Sequence, residues 1–223
     1  MKDGELKRKI TALVNEEKLE KLEKAEALLI DYVHKNPDDL EGWNRLIILE
    51  TLDPIEDYEQ ATEYTKEALT HHNDQPIYFV LILLFARLHR GELDHVLVEQ
   101  AKGALNKADP EIASMISLLL ANYYRSRDSI QYEAFLTKSI EDGPYFVGNY
   151  LELGDYYLEK GQRDLGKELI RKGLAQVQLV YKTEDDDEEL DWLDIDRYVN
   201  EMLTRVFIME NSYNYFEELL QQE

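Results

Sequence analysis

Apolar residues return at helical spacing along most of the chain, and short breaks rich in Gly, Pro, Asp and Asn separate the runs. The pattern is sharpest over Asn149–Leu174, NYLELGDYYLEKGQRDLGKELIRKGL. Tyr150, Leu153, Tyr157 and Leu158 share one face of a first helix. Lys160-Gly161 ends it, because glycine accepts the positive φ that a helix stop favours. A second helix from about Gln162 sets Leu165, Leu169, Ile170 and Leu174 on its buried face. Gly166 and Gly173 lie inside that helix, where each costs about 1 kcal/mol relative to alanine. A missing Cβ there predicts the close crossing of another helix, with Gly154 playing the same part on the first.

The same spacing continues elsewhere. Trp43 and Leu46 mark a first helix, a longer turn LDPIEDYEQ follows, and Ala61 and Ala68 mark its partner. Pro76 opens Ile77–Leu88, an apolar run interrupted by Arg87 and too short to span a bilayer. It predicts a helix buried on nearly all sides. Ala101 and Ala104 lie on the next helix. Pro110 opens another, with Leu118–Ala121 and Tyr123-Tyr124, whose partner carries Ala134, Phe135 and Ile140 and stops at Asp142-Gly143-Pro144. Tyr198, Leu203, Phe207, Phe216 and Leu220 form a degenerate last pair. Residues 1–35 hold two apolar stripes with no breaker between them, so a hairpin turning near Asn15 and one long helix are both open. Of five prolines, four stand at expected unit boundaries, where proline opens helices. No alternating strand pattern appears.

At Leu153-Gly154, Tyr157, Gly161 and Gly166 the chain resembles the tetratricopeptide repeat, a helix–turn–helix unit of about 34 residues. It departs from that pattern where Gly166 and Gly173 replace the usual alanines and where Gln178 replaces a closing proline. The other units match in part. The resemblance implies an all-α fold, a right-handed α-solenoid of about five to six antiparallel helix hairpins, forming one domain over residues 1–223 with an acidic loop near 182–191. It also implies protein binding in a groove lined by successive first helices. On that ruler the groove positions are Asn44 and Ile48 in the second unit, and Asn149, Leu151, Glu152 and Asp155 in the fifth. Some members clamp the carboxylate end of chaperone tails at such positions with lysine, asparagine and arginine. Asn44 and Arg45 match that clamp weakly, and Glu152 and Asp155 have the wrong sign for it. An acidic groove carrying Tyr123, Tyr124, Tyr150 and Tyr156 suits a basic or aromatic-seeking ligand, although core packing should claim about half of those tyrosines.

Charge adds a second candidate surface. The formal net charge is −22, from 25 basic and 47 acidic residues. Residues 184–223 contribute 14 acids against 2 bases, a net of −12 and more than half of the total. The peak is Glu184–Glu189, with Asp185, Asp186 and Asp187 at its centre and Trp192 just beyond. A solvated loop running into the acidic first turn of a helix explains the run structurally. The functional reading is a landing site for a basic partner, with Trp192 as an aromatic anchor or as a core residue of the last hairpin.

Other chemistries are not expected. There is no cysteine, hence no disulfide, thiolate site or cysteine nucleophile. EDDDEELDWLDID lacks the glycine and the spaced oxygens of a calcium loop. His34, His71, His72, His89 and His95 form no metal-ligand spacing, and His71-His72 suits a helix C-terminus. No nucleophile elbow, phosphate loop or dinucleotide fingerprint is present, so neither enzyme activity nor a cofactor is expected. Lys167, Arg171 and Lys172 are the best basic cluster and read as a solvated helix face, which disfavours nucleic acid. The N-terminal residues lack a secretory pattern, and with no membrane span a cytoplasmic location is expected. Two functions remain open. One is a non-catalytic module that holds a peptide or protein of basic character in the solenoid groove. The other is an acidic inhibitor of immunity type that occludes a basic partner such as a toxin.

Overall fold

The computed structural model describes residues 4–88, 93–143, 147–180 and 193–207, with residues 217, 218, 220 and 221. Among the described residues there are eleven α-helices and no strand: α1 (Gly4–Val14), α2 (Leu19–Lys35), α3 (Leu40–Leu49), α4 (Tyr58–His71), α5 (Ile77–Leu88), α6 (His95–Ala104), α7 (Pro110–Tyr124), α8 (Ser129–Asp142), α9 (Val147–Glu159), α10 (Arg163–Val180) and α11 (Ile195–Phe207). The chain divides into two compact units, Met1–Asp94 with Glu188–Asn200, and His95–Asp187 with Glu201–Glu223. Each is all-helical and packs neighbouring helices in sequence order, as the hairpin reading expects.

Aspartates start many of these helices. Asp39, Asp57, Asp109, Asp128 and Asp194 each accept a hydrogen bond from a backbone N–H in the first turn of the helix that follows. Such caps satisfy donors with no intrahelical partner, and the carboxylate also meets the positive end of the helix dipole. Part of the acidic excess is therefore structural.

In the first unit, residues 4–35 form a hairpin. The chain turns after Val14, and Glu17 takes a positive φ of 51° at the break. The α3 helix then enters closely: a Cβ on Gly42 would lie 3.1 Å from the Tyr32 ring of α2. Trp43 and Leu46–Leu49 are buried, as are Ala61 and Ala68 of α4. Tyr78 and Val80–Ala86 of α5 are buried too, the outcome predicted for that apolar run.

In the second unit α7 packs on α8, α8 on α9 and α9 on α10. Gly154 and Gly166 face each other across the α9–α10 crossing, and a Cβ on Gly173 would lie 2.9 Å from the Tyr150 Cβ. Val147, Leu151, Ile170 and Leu174 form the core beside them, with Leu158 packed against it. One reading is corrected. Leu165, expected on the buried stripe of α10, is 40% exposed, because it sits in the first turn, ahead of the Gly166 crossing. Between α7 and α8 small residues bring the backbones together. Ser114 Oγ donates to the Ser139 carbonyl at 2.7 Å, and Ser139 Oγ donates back to the Ser114 carbonyl at 2.6 Å.

Candidate functional site

A polar face of partly open side chains lies in the second unit, where the end of α7 meets α9. The α7 helix stops at Arg125, and α9 carries Glu152 and Asp155 three residues apart, so both carboxylates point to one side. Arg125 Nη1 donates to Glu152 Oε2 at 3.3 Å, and its Nη2 lies 3.9 Å from Asp155 Oδ2. The Tyr132 hydroxyl, from the first turn of α8, donates to the same Glu152 oxygen at 3.1 Å. Glu152 is thus shared by a cation and a phenol.

Electrostatics follows from that geometry. The Arg125 guanidinium is held charged above its ordinary range chiefly by Glu152. Burial pushes the Asp155 carboxyl up, and Glu159 one turn on adds to this against the pull of Arg125. Burial and the Glu152 charge push the Tyr132 phenol up as well. Three carboxylates therefore share one arginine, a surplus of negative charge on a half-buried surface.

Aromatic rings extend it. The Tyr132 and Tyr156 rings meet edge to face at 5.1 Å, and Lys160 Nζ stands 5.3 Å from the centre of the Tyr156 ring. The Arg127 guanidinium lies over Tyr123 at 4.4 Å, and Lys102 Nζ over Tyr124 at 5.0 Å. Tyr123, Tyr124 and Tyr156 are half-buried and already hold cations against their faces. Tyr150 is buried in the α9–α10 packing. What this arrangement can do is hold cationic or planar groups, since carboxylates and π faces both attract them.

The residues expected at a groove divide sharply. Glu152 and Asp155 are partly open, with side chains 18% and 25% exposed. Asn149, on the same helix, is fully buried and donates to Ser114 Oγ at 3.2 Å, so it braces α9 against α7. Asn44 and Ile48 are buried, because α3 is enclosed along Gly42–Leu49. Arg45 is buried beside them, with its Nε 3.2 Å from Glu41. These buried positions correct the expectation that they face an open groove. Asp185, Asp186, Asp187 and Trp192 lie outside the described residues. Tyr132 and Arg125 escaped the sequence reading, since a tyrosine and a turn arginine carry no periodic signal of their own.

A second polar cluster sits inside the first unit. Glu50 ends α3 and is 3% exposed, with Oε1 unpartnered. Burial raises its carboxyl to about 8, with Glu26 and Asp57 adding to the effect. The neighbouring Tyr64 phenol is pushed up to about 12 by burial, with Glu26 and then Glu50 adding to the effect. Glu50 is thus held neutral at ordinary pH. His71 and His72 make packing and backbone contacts: His71 stacks on Trp43 at 5.9 Å, and His72 Nε2 lies 3.1 Å from the Pro37 carbonyl. Among the described residues no group of three His, Asp or Glu side chains converges as a metal would require, and no helix is long and apolar enough to cross a membrane.

Solved structures share this architecture. A crystal structure of MamA matches with a TM-score of 0.56 at 17% identity, over 73% of this chain and 92% of that one. A second MamA structure matches at 0.55 and 16%, over 82% and 100% of the two chains. A MamA RS-1 double mutant gives 0.56 and 14%, over 78% and 98%. No protein-family model and no curated protein matches the chain. The likeness shows the fold class: an all-helical repeat of antiparallel helix hairpins.

Proposed function

We propose that this chain is a non-catalytic protein-interaction module whose second unit receives a basic segment of a partner on the α7–α9 face. One observation carries the reading. Glu152 and Asp155 already hold a guanidinium, that of Arg125, beside the Tyr132 and Tyr156 rings. A partner's arginine or lysine would find the same two attractions, carboxylate and π face, with Glu159 adding charge. The chain's net charge of −22 would speed the encounter with a basic ligand and make it salt-sensitive.

A labelled synthetic peptide alternating arginine and tyrosine tests the idea by fluorescence anisotropy. Saturable binding is expected, falling at least tenfold in the Asp155→Lys/Glu159→Lys variant and in high salt. Equal binding by that variant would overturn it.

A second reading rests on the acidic stretch 184–223: an inhibitor that covers a basic partner's working surface. It is favoured if reversal of Asp185, Asp186 and Asp187 abolishes binding of a folded basic protein, while the Asp155→Lys/Glu159→Lys variant leaves it intact.

A further inference from the structure

Glu152, Asp155 and Glu159 share α9, and the cation that meets them comes from another helix. Arg125 follows the last residue of α7, so its backbone is set by that helix end while its side chain reaches across to α9. Neither of its two contacts is short. Nη1 lies 3.3 Å from Glu152 Oε2, and Nη2 lies 3.9 Å from Asp155 Oδ2, beyond hydrogen-bond range. A well-made arginine–carboxylate pair is bidentate, at roughly 2.7–2.9 Å. Other exposed pairs of this chain do close, Lys172 on Glu168 at 2.7 Å and Lys66 on Glu63 at 2.6 Å. One side chain anchored on α7 divides itself between two carboxylates on α9 and fits neither well.

Such a contact exchanges easily. The Arg125 side chain is 48% exposed, so solvent takes it up when it leaves, and its withdrawal moves no backbone. The carboxylates are less tolerant. Glu152 and Asp155 are mostly enclosed, and burial together with Glu159 works against the Asp155 charge. They need a cation, but nothing in the geometry ties them to this one. An arginine carried by another chain would approach from solvent, free of the end of α7. It could turn its planar fork squarely to both carboxylates, which a lysine ammonium cannot do. Were Arg125 to stay in place, the two guanidinium groups would repel each other over the same oxygens.

On the reading that this face receives a basic segment, on which the inference rests, we propose that Arg125 is its built-in occupant, holding Glu152 and Asp155 until an arginine of the partner takes its place. The device has two consequences. It weakens every incoming cation by competition from within the chain, and it favours arginine over lysine, because only a bidentate group gains from the exchange. When the partner leaves, Arg125 returns, and the enclosed carboxylates are never left without a counter-charge.

The full-length chain tests this, with the labelled arginine–tyrosine peptide and a lysine–tyrosine counterpart as probes. The Arg125→Gln variant is expected to keep the wild-type melting temperature and to bind the arginine peptide at least tenfold more tightly. Lys172→Gln removes the same charge from the solvated face of α10 and should change binding less than twofold. The wild-type chain should prefer the arginine peptide at least fivefold. If neither the wild type nor Arg125→Gln binds the peptide, the reading of the face fails and the proposal with it. If the wild type binds and Arg125→Gln binds equally or more weakly, only the proposal is overturned. Equal gains from Arg125→Gln and Lys172→Gln, no preference for arginine, or a marked loss of melting temperature in Arg125→Gln would overturn it too, the last by making Arg125 a structural tie. Side-chain NMR gives a reading on the wild type itself. The Arg125 Nε–H signal, assigned by its absence from Arg125→Gln, should move to the position of a solvated arginine at peptide saturation, and an unmoved signal would refute the exchange.

Discussion

A Cβ placed on Gly166 would stand 2.7 Å from the carbonyl oxygen of Gly154, and 2.8 Å from Leu158 Cγ. The two glycines are the contact point of α9 and α10, and the nearest obstacle is backbone, which cannot swing aside. Gly166→Leu is therefore expected to destabilise the second unit by about 1–3 kcal/mol or more through overpacking. Thermal melting followed by circular dichroism checks it, with Gly103→Ala as control. A Cβ at Gly103 of α6 meets nothing within 4 Å, so that change should be neutral or slightly stabilising. An unchanged melting temperature for Gly166→Leu would remove the close-crossing account.

The pH response of the first unit should carry the mark of Glu50. Its folded pKa is raised from an ordinary 4.5 to about 8, so between those values the folded chain keeps a proton that the unfolded chain releases. This group's stabilisation is complete below about pH 4.5 and is lost progressively as pH rises towards 8. Glu50→Gln mimics the neutral carboxyl and should flatten that fall. Melting temperatures of both proteins from pH 5 to 8.5 provide the comparison, and parallel curves would refute it.

Asn149 lies where a charge has no compensation. It is fully buried, donates to Ser114 Oγ, and its own Oδ1 has no hydrogen-bond partner. Asn149→Asp should cost about 3 kcal/mol or more at neutral pH, the penalty for an unpaired buried charge, and recover in acid as the carboxyl protonates. Urea unfolding at pH 7 and pH 4 measures both. A variant equally stable at the two values would mean that the site admits water.

Reversing charge at Asp185, Asp186, Asp187 and Glu188 is expected to leave the helical content and melting temperature unchanged. If the variant unfolds, that run serves the fold, and the inhibitor reading fails with it.

How far the site was readable depends on the residue. Glu152 and Asp155 could be named from their register within one hairpin, because α9 and α10 are close in sequence and the glycine ruler fixes their crossing. Asn149 obeys the same register, yet it is buried and bonded to Ser114, a small residue on another hairpin that gives no signal of its own. Arg125 and Tyr132 joined the surface from two further elements. Leu165 shows the reverse error: its apolar character fits the stripe, but periodicity does not tell where along a helix the neighbouring helix begins to cover it.

The sequence by itself determined the hairpins: where helices start on aspartate caps, where glycines let them cross, and that α5 would have no solvated face. Those are local matters, settled by propensity, capping and the spacing of apolar side chains within some thirty residues. Only the tertiary structure decided what covers each face. That Asn44, Ile48 and Asn149 are enclosed while Glu152 and Asp155 stay partly open follows from contacts between segments distant along the chain. Helical periodicity gives the direction of a side chain about its own axis; it carries no record of what lies in that direction.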